Sequence, residues 1–256
     1  MSSFHFRPST FLMTLAAVAA LSACGGGGGD GDGENNPETP ASAEGVYEGS
    51  LGAATAGQYA AIVLENGESW ALYSFNGGGG FLHAHGTSTN GSFSANDVLD
   101  YGAAPPVAGT VSASYNASAG TIQGQYVFGN DVVPFSARRS TQGYRYDIPA
   151  DPASITGNWT LASWADQSMR LQVATDGTLS GTGLSGCVLT GSLTPRPSGK
   201  NVFNAALRFS SACAQPDLAA NGVAIVVVED GEPALMVMGQ SADRKIGTIA
   251  LGTRTP

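Results

Sequence analysis

The sequence is poor in charge, and above all in positive charge. Charged residues make up 12% of its 256 residues, about half the usual share, and lysine occurs only at Lys200 and Lys245. The net charge is −9, whereas binding to nucleic acid or to an anionic membrane surface requires clustered Lys and Arg. Nucleic acid is therefore excluded as a partner, and so is membrane docking through a basic surface.

Motifs of catalysis are equally scarce. The segment "GLSGC" (183–187) departs from the Gly-x-Ser-x-Gly pattern of hydrolases at its last position. The run "GGGG" (77–80) lacks the Gly-Lys-Ser/Thr ending of a phosphate-binding loop. We therefore expect no enzymatic activity, no catalytic residues and no cofactor.

What the chain does contain is glycine, 36 residues of it, between short runs of β-branched and aromatic residues. This pattern predicts an all-β fold. The segment "AAIVLENGESWALYSF" (60–75) predicts a hairpin with its turn at Asn66-Gly67, and 222–239 predicts another. The segment "LASWADQSMRLQV" (161–173) has near-helical spacing, but its glycine-rich neighbours favour strands there too.

Three pairs of segments indicate an internal duplication. "GVYEGSL" from Gly45 matches "GNWTLAS" from Gly157, "LENGESW" (64–70) matches "VATDGTL" (173–179), and 86–94 matches 186–194. Their shared order indicates a repeat of about 100 residues. We predict a first β module over 45–140, a polar linker over 141–154 and a second β module over 155–256. Each module is expected to be a small antiparallel barrel or sandwich; the alternative is a single larger β domain over 45–253.

The amino terminus has the features of a signal peptide over residues 1–23. Its apolar run, from Phe11 to about Leu21, is shorter than the roughly 20 residues that a membrane span needs. The tetrapeptide Leu21-Ser22-Ala23-Cys24 resembles the lipobox of bacterial lipoproteins. That resemblance implies cleavage before Cys24 and acylation of its sulfur and its amine. The alternative is an ordinary secretory signal, with Cys24 a bystander thiol.

The segment after this cysteine, 24–44, combines Gly, Asp, Glu, Asn and Pro without apolar periodicity. Such a composition predicts a disordered tether between the lipid anchor and the folded body. By the sorting rule known for enterobacterial lipoproteins, Gly25 implies an outer-membrane location.

The two remaining cysteines, Cys187 and Cys213, would then lie in an oxidising compartment, where a pair most often forms a disulfide. A reactive dithiol is the alternative.

Two further resemblances concern the folded body. Gly157-Asn158-Trp159 resembles the opening of lipocalin-like (calycin) barrels, in which the tryptophan closes the barrel base; Tyr47 takes its place in the first half. "VLENGESWALY" (63–73) and "LTPRPSGKNVF" (193–203) resemble an uncharacterised family of two-module proteobacterial lipoproteins. This second resemblance implies an architecture and a location, and no activity.

The strongest candidate for metal chemistry is the pair His83 and His85 in "GFLHAHG". Two residues apart on a strand, both imidazoles face one side and could approach one ion. The nearest carboxylates along the chain are Asp97 and Asp100. Exposed histidines on an edge strand are the plainer expectation, so we predict no metal site. In the same way Arg196 and Lys200 are expected in a solvated turn, and Trp70, Tyr73, Phe75 and Phe81 in the core.

The sequence therefore predicts a non-enzymatic lipoprotein of the cell envelope with a binding or structural role. The lipid on Cys24 would anchor it to the membrane. The sequence does not identify a protein partner or a small ligand. The alternatives are a lipocalin-like carrier of a small apolar ligand and a metal-dependent activity at His83 and His85.

Overall fold

The computed structural model describes residues 42–52, 57–75, 78–140, 144–229 and 231–255. Within them the chain forms antiparallel strands and one helical turn, α1 at Pro152–Ile155. The strands of the first half are β1 Gly45–Leu51, β2 Gly57–Val63, β3 Glu68–Phe75, β4 Gly78–His85, β5 Thr87–Thr89, β6 Ser92–Asp100, β7 Val107–Asn116, β8 Thr121–Phe128 and β9 Asp131–Arg139. Those of the second half are β10 Gly157–Ser163, β11 Met169–Val173, β12 Thr178–Gly183, β13 Val188–Pro195, β14 Phe203–Phe209, β15 Ala219–Glu229, β16 Glu232–Ser241 and β17 Gly247–Arg254.

Each half closes into an eight-stranded barrel. In the first barrel the strands follow the order β4-β3-β2-β1-β9-β8-β7-β6, and pairing of β4 with β6 closes the ring, while β5 extends β6 at the margin. In the second barrel β10 to β17 follow one another, and β10 pairs with β17. The prediction of two tandem antiparallel β modules is confirmed, and both are barrels.

Buried apolar side chains form a core inside each barrel. In the first barrel one row of paired residues points inward and is buried: Tyr47, Ala61, Ala71 and Leu82. In the second barrel the space among apolar side chains such as Leu161, Met169 and Val237 amounts to about 10 Å³. That is no more than one water molecule needs, roughly 10–15 Å³.

The two barrels begin in the same way, which supports the duplication. Tyr47 and Trp159 are both buried, and each donates a hydrogen bond to the carbonyl four residues upstream, at 2.9 and 2.8 Å. Each ring is covered by an arginine of the last strand, with Arg139 at 5.9 Å from the Tyr47 centroid and Arg254 at 4.8 Å from that of Trp159. Cation–π contact and burial thus close the start of both barrels.

The second matched pair of segments forms the same turn in both halves. Gly67 and Gly177 each have φ of +83°, a conformation that favours glycine. Their carbonyls accept hydrogen bonds from Gly86 and Leu193, respectively. Gly86 is therefore equivalent to Leu193 and not to Gly186, so the third sequence match, 86–94 with 186–194, was wrong in register.

An apolar interface joins the barrels. The strands alternate, and the residues that point away from the barrel interiors form a third buried cluster with members from both halves. Its members are Val46, Ile62, Leu64, Trp70, Phe81, Tyr101, Tyr144, Tyr146, Val202, Val223, Ile225, Met238 and Ile249. This explains why β15 is apolar on both faces: one faces its own barrel interior and the other faces the first barrel.

Aromatic stacking is the main feature of this interface. Phe81 lies 4.7 Å from Tyr101 and 5.6 Å from Trp164 of the second barrel, centroid to centroid. Tyr144 and Tyr146, in the segment predicted as a polar linker, are also buried in it. The connection between the barrels is therefore packed where the structure describes it.

The predicted disulfide is present. Cys187 and Cys213 are bonded to each other and buried in the second barrel. The signal peptide, Cys24 and most of the tether lie outside the described residues. Of the described helical structure, nothing is long and apolar enough to cross a membrane.

Candidate binding groove between the barrels

Strand pairing gathers four side chains on the outer face of the first barrel. β3 and β4 pair so that Glu68 lies opposite His85 and Trp70 opposite His83. Residues two apart on a strand share a face, so all four point toward the second barrel. The Trp70 indole N–H donates to Glu68 Oε1 at 3.0 Å, and His83 Nε2 lies 3.3 Å from the same oxygen. We call Glu68, His83 and His85 the histidine cluster.

A β-bulge brings a second carboxylate to this cluster. The register of β6 shifts between Ala95 and Val98, which turns Asp97 toward β4. One Asp97 oxygen accepts from the His85 backbone N–H at 2.8 Å, and the other lies 2.9 Å from His85 Nδ1. Asp97 of strand β6 therefore fixes the position of His85 through two contacts.

The second barrel contributes the opposite wall. Ser192, Ala206, Asn221 and Gln240 lie side by side across β13 to β16. At the end of this row, Gln240 Nε2 lies 3.1 Å from His83 Nδ1. The row is polar where it meets the histidine cluster.

Arg244 spans the two barrels. It lies in the β16–β17 turn with φ of +58°, unusual for a residue other than glycine. Its guanidinium donates to the Asp97 carboxylate at 3.0 Å and to the Asp97 carbonyl at 2.7 Å. The left-handed backbone conformation of Arg244 thus places its guanidinium beside Asp97 in the β-bulge of the first barrel.

Together these walls border an open groove of about 490 Å³. We call it the inter-barrel groove. Its charged lining residues are Glu68, Arg196 and Arg244. Its hydroxyl and carboxamide lining residues are Ser192, Thr194, Asn204, Asn221, Gln240 and Ser241. In the described part of the chain, the Thr194 and Asn221 side chains have no hydrogen-bond partner and so face the groove with unused polar groups.

The arginine at the far end of the groove is held in place. Arg196 Nε donates to Glu65 Oε1 of the first barrel at 2.8 Å, and Nη1 donates to Asn204 Oδ1 at 3.0 Å. Arg196 also lies 3.9 Å from Glu68 Oε2. The expected solvated turn at 196–201 is therefore wrong: Arg196 bridges the barrels, and Lys200 pairs with Glu44 and Asp147.

Burial and charge set the protonation of the cluster. Burial lowers the pKa of His83, and this outweighs the opposing effect of the Glu68 carboxylate, so neutral imidazole is favoured. Burial raises the pKa of Glu68, but hydrogen bonds from His83 and Trp70 together with the Arg196 charge outweigh it, and the pKa is lowered. The cluster thus presents a carboxylate beside a neutral imidazole.

The histidine predictions are partly right. The two imidazoles do share a face, with ring centroids 4.8 Å apart. They are not an exposed pair on an edge strand: β4 pairs with both β3 and β6, and His83 is fully buried, whereas the His85 side chain is 55% exposed. Asp97 reaches His85, but Asp100 instead accepts from Tyr73 at 2.7 Å.

Other predicted positions lie elsewhere. Trp70 and Phe81 are core residues, as expected, but of the interface between the barrels and not of a barrel interior. Tyr73 packs against the first barrel core, and the Phe75 side chain lies outside the description. Sequence reasoning missed Glu68 as a partner of the histidines. The signal for it was the Glu-x-Trp pattern on β3, which pairs with His-x-His on β4.

No protein-family model matches the chain, and no curated protein is similar to it at a significant level. A solved structure from Nostoc punctiforme, a protein of unknown function from the DUF3598 family, is similar at 13% identity with a TM-score of 0.24. The match covers 82% of this chain and 94% of that one. At this TM-score the likeness carries no argument about function.

Proposed function

We propose that the protein is a lipid-anchored protein of the bacterial cell envelope that binds a small polar ligand in the inter-barrel groove. The observation that carries the binding role is the contrast between a groove of about 490 Å³ and the filled interior of the second barrel. The lipobox at Cys24 supports the anchor. The outer membrane is the proposed location, because Gly25 follows the acylated cysteine.

The lining indicates the class of ligand. Glu68, Arg196 and Arg244 are engaged in ion pairs with one another or with neighbouring residues, so they offer little net charge to a ligand. Hydroxyl and carboxamide groups remain, and these supply both donors and acceptors. Such a surface suits a ligand rich in hydroxyl or amide groups, such as a short neutral sugar chain or a peptide.

The carrier of an apolar ligand is less well supported. A lipocalin-like carrier holds its ligand inside the barrel, where the second barrel leaves about 10 Å³ among its apolar side chains. Small-molecule sites usually enclose about 300–1,000 Å³. The groove falls in this range and is polar, so we propose it in place of a barrel interior. We also propose that binding is not accompanied by catalysis.

The anchor is tested in a Gram-negative host that expresses the full chain, by labelling with an alkyne analogue of palmitate. We expect label on the wild-type protein and none on a Cys24→Ser variant, and a mature amino-terminal peptide that begins at an acylated Cys24. A mature protein with unmodified Cys24 would refute the anchor.

The binding role is tested by thermal shift of the mature chain against neutral oligosaccharides and short peptides. Stabilisation that Asn221→Leu removes would support the groove, whereas stabilisation unchanged by that variant would place binding elsewhere.

A further inference from the structure

We propose that Glu68, His83 and His85 form a Zn²⁺ site on the wall of the inter-barrel groove. The proposal deepens the binding role and depends on the groove, but not on the lipid anchor. It assigns a metal to the histidine cluster and an oxygen-bearing ligand to the open side of that metal.

The ligand atoms are already close together. One carboxylate oxygen and one nitrogen from each imidazole all lie within 4.8 Å of one another, and His83 Nε2 is 3.3 Å from Glu68 Oε1. With Zn–ligand bonds of about 2.0–2.1 Å, tetrahedral geometry sets ligand atoms about 3.4 Å apart. The His83–Glu68 pair fits this spacing. The half-exposed His85 ring has room to move the remaining distance.

Each histidine has a partner on its other nitrogen. Asp97 Oδ2 lies 2.9 Å from His85 Nδ1, which leaves His85 Nε2 for the metal. Gln240 Nε2 lies 3.1 Å and Arg244 Nη2 lies 3.4 Å from His83 Nδ1, which leaves His83 Nε2 for the metal. A carboxylate or amide behind the imidazole holds the ring orientation and raises its basicity as a ligand.

Three rearrangements complete the site, the first of which turns the Arg244 guanidinium, a donor that Asp97 holds, away from His83 Nδ1. His83 Nε2 must release its proton, so that the neutral ring carries a proton on Nδ1 instead. The Gln240 carboxamide then turns over so that its oxygen accepts from Nδ1. Its nitrogen then meets the Tyr101 hydroxyl, which is already within hydrogen-bond reach of Gln240 and can accept as well as donate. The ring stays neutral, because the proton that leaves Nε2 for solvent is matched by one that Nδ1 takes up from solvent.

Charge and access both allow a dication. The carboxylates of Glu68 and Asp97 face the guanidinium groups of Arg196 and Arg244, so the surroundings of the cluster carry no net positive charge. Glu68 and His85 line the groove, whereas His83 is buried behind them. Three protein ligands leave a fourth position open toward the groove. A hydroxyl or carbonyl oxygen of the groove ligand would take this position.

The test is Zn²⁺ titration by calorimetry on the mature chain with Cys24→Ser, after removal of metals with EDTA. We expect one Zn²⁺ per wild-type chain. His85→Gln and Glu68→Gln should weaken binding roughly 100-fold or more, and Asp97→Asn about 10–100-fold. The matched control is Glu65→Gln, a carboxylate of the same turn that also pairs with Arg196 but does not face the histidines; its affinity should stay within about threefold.

Because Glu68 contacts Trp70, each variant is first shown to be folded by its thermal transition. Co²⁺ in place of Zn²⁺ should give the intense visible absorption of a four-coordinate site, lost in His85→Gln. The proposal is overturned if wild-type protein does not bind Zn²⁺ at micromolar concentration, or if His85→Gln and Glu68→Gln bind as wild type does. A chain that takes a polar ligand in the groove but does not bind Zn²⁺ would leave the proposed function standing and remove the metal site alone.

Discussion

Gly247 of the second barrel lies directly against two aromatic rings of the first, which makes its substitution by alanine a test of the interface. A Cβ at this position would lie 2.4 Å from Tyr101 Cδ1 and 2.7 Å from Phe81 Cζ. Both rings are buried and stacked on each other, so they have little room to move. Overpacking of this kind costs typically 1–3 kcal/mol. We therefore expect Gly247→Ala to lower the free energy of unfolding by about 2 kcal/mol.

The matched control is Gly239→Ala on the neighbouring strand β16. There a Cβ would meet Ala220 Cβ and Asn221 O at 3.4 Å, an ordinary contact. Because alanine is favoured over glycine in a strand by roughly 0.5–1 kcal/mol, this variant should be as stable as wild type or slightly more so. Urea unfolding followed by tryptophan fluorescence measures both. Because Gly247→Ala weakens the contact between the barrels, we also expect the two barrels to unfold in separate transitions in this variant. If Gly247→Ala is as stable as Gly239→Ala, the packing of the interface described above is wrong.

Two further predictions concern the second barrel. Replacing both Cys187 and Cys213 by alanine opens a loop with a sequence separation of 26 and should lower the free energy of unfolding by about 3–4 kcal/mol in urea; a loss under about 1 kcal/mol would contradict this. Hydrogen bonds from Ser185, and from the backbone nearby, lower the pKa of Asp166 below its ordinary value. A carboxyl whose pKa is lowered by folding stabilises the folded state at any pH above its unfolded-state pKa. This stabilisation is lost as pH falls from the unfolded-state pKa through the folded-state pKa, that is, below about pH 4. Asp166→Asn should therefore flatten the acid limb of the pH–stability curve, and an unchanged slope would show that Asp166 does not contribute.

The fold class could be predicted because it depends on local patterns. Runs of β-branched and aromatic residues, the Asn66-Gly67 turn and the shared Gly-x-aromatic starts all report on single strands or hairpins. The register of the third repeat could not be derived in the same way. Glycines occupy similar places in 86–94 and 186–194, but they make different hydrogen bonds in the two barrels. An alignment that matched these glycines therefore paired positions that are not structurally equivalent.

The candidate site was only half predictable, for a physical reason. The alternation of a strand sufficed to place His83 and His85 on one face. It did not show that Glu68 lies opposite His85, because that contact depends on the β3–β4 register. Gln240 and Arg244 come from the other barrel, more than 150 residues away in the chain. Contacts made by packing of two domains leave no local trace in the sequence.

The same reason accounts for the misplaced histidine. In isolation, "GFLHAHG" beside glycines has the features of an exposed edge strand. Closure of the barrel through β6 and packing of the second barrel bury His83 from both sides. The charges that replace its hydration are Glu68 on one ring nitrogen and Arg244, near Gln240, on the other.

The claim that the inter-barrel groove binds a ligand is tested most directly by native mass spectrometry. The chain from residue 24 onward is exported with Cys24→Ser behind a cleavable signal, purified from the periplasm and treated with EDTA to remove metal. We predict a reproducible organic mass on this protein and on Thr182→Leu, an exposed control on β12. The extra mass should be absent from Asn221→Leu, which blocks the groove. A bare mass for all three proteins, or an extra mass that Asn221→Leu retains, would contradict a binding site in the groove.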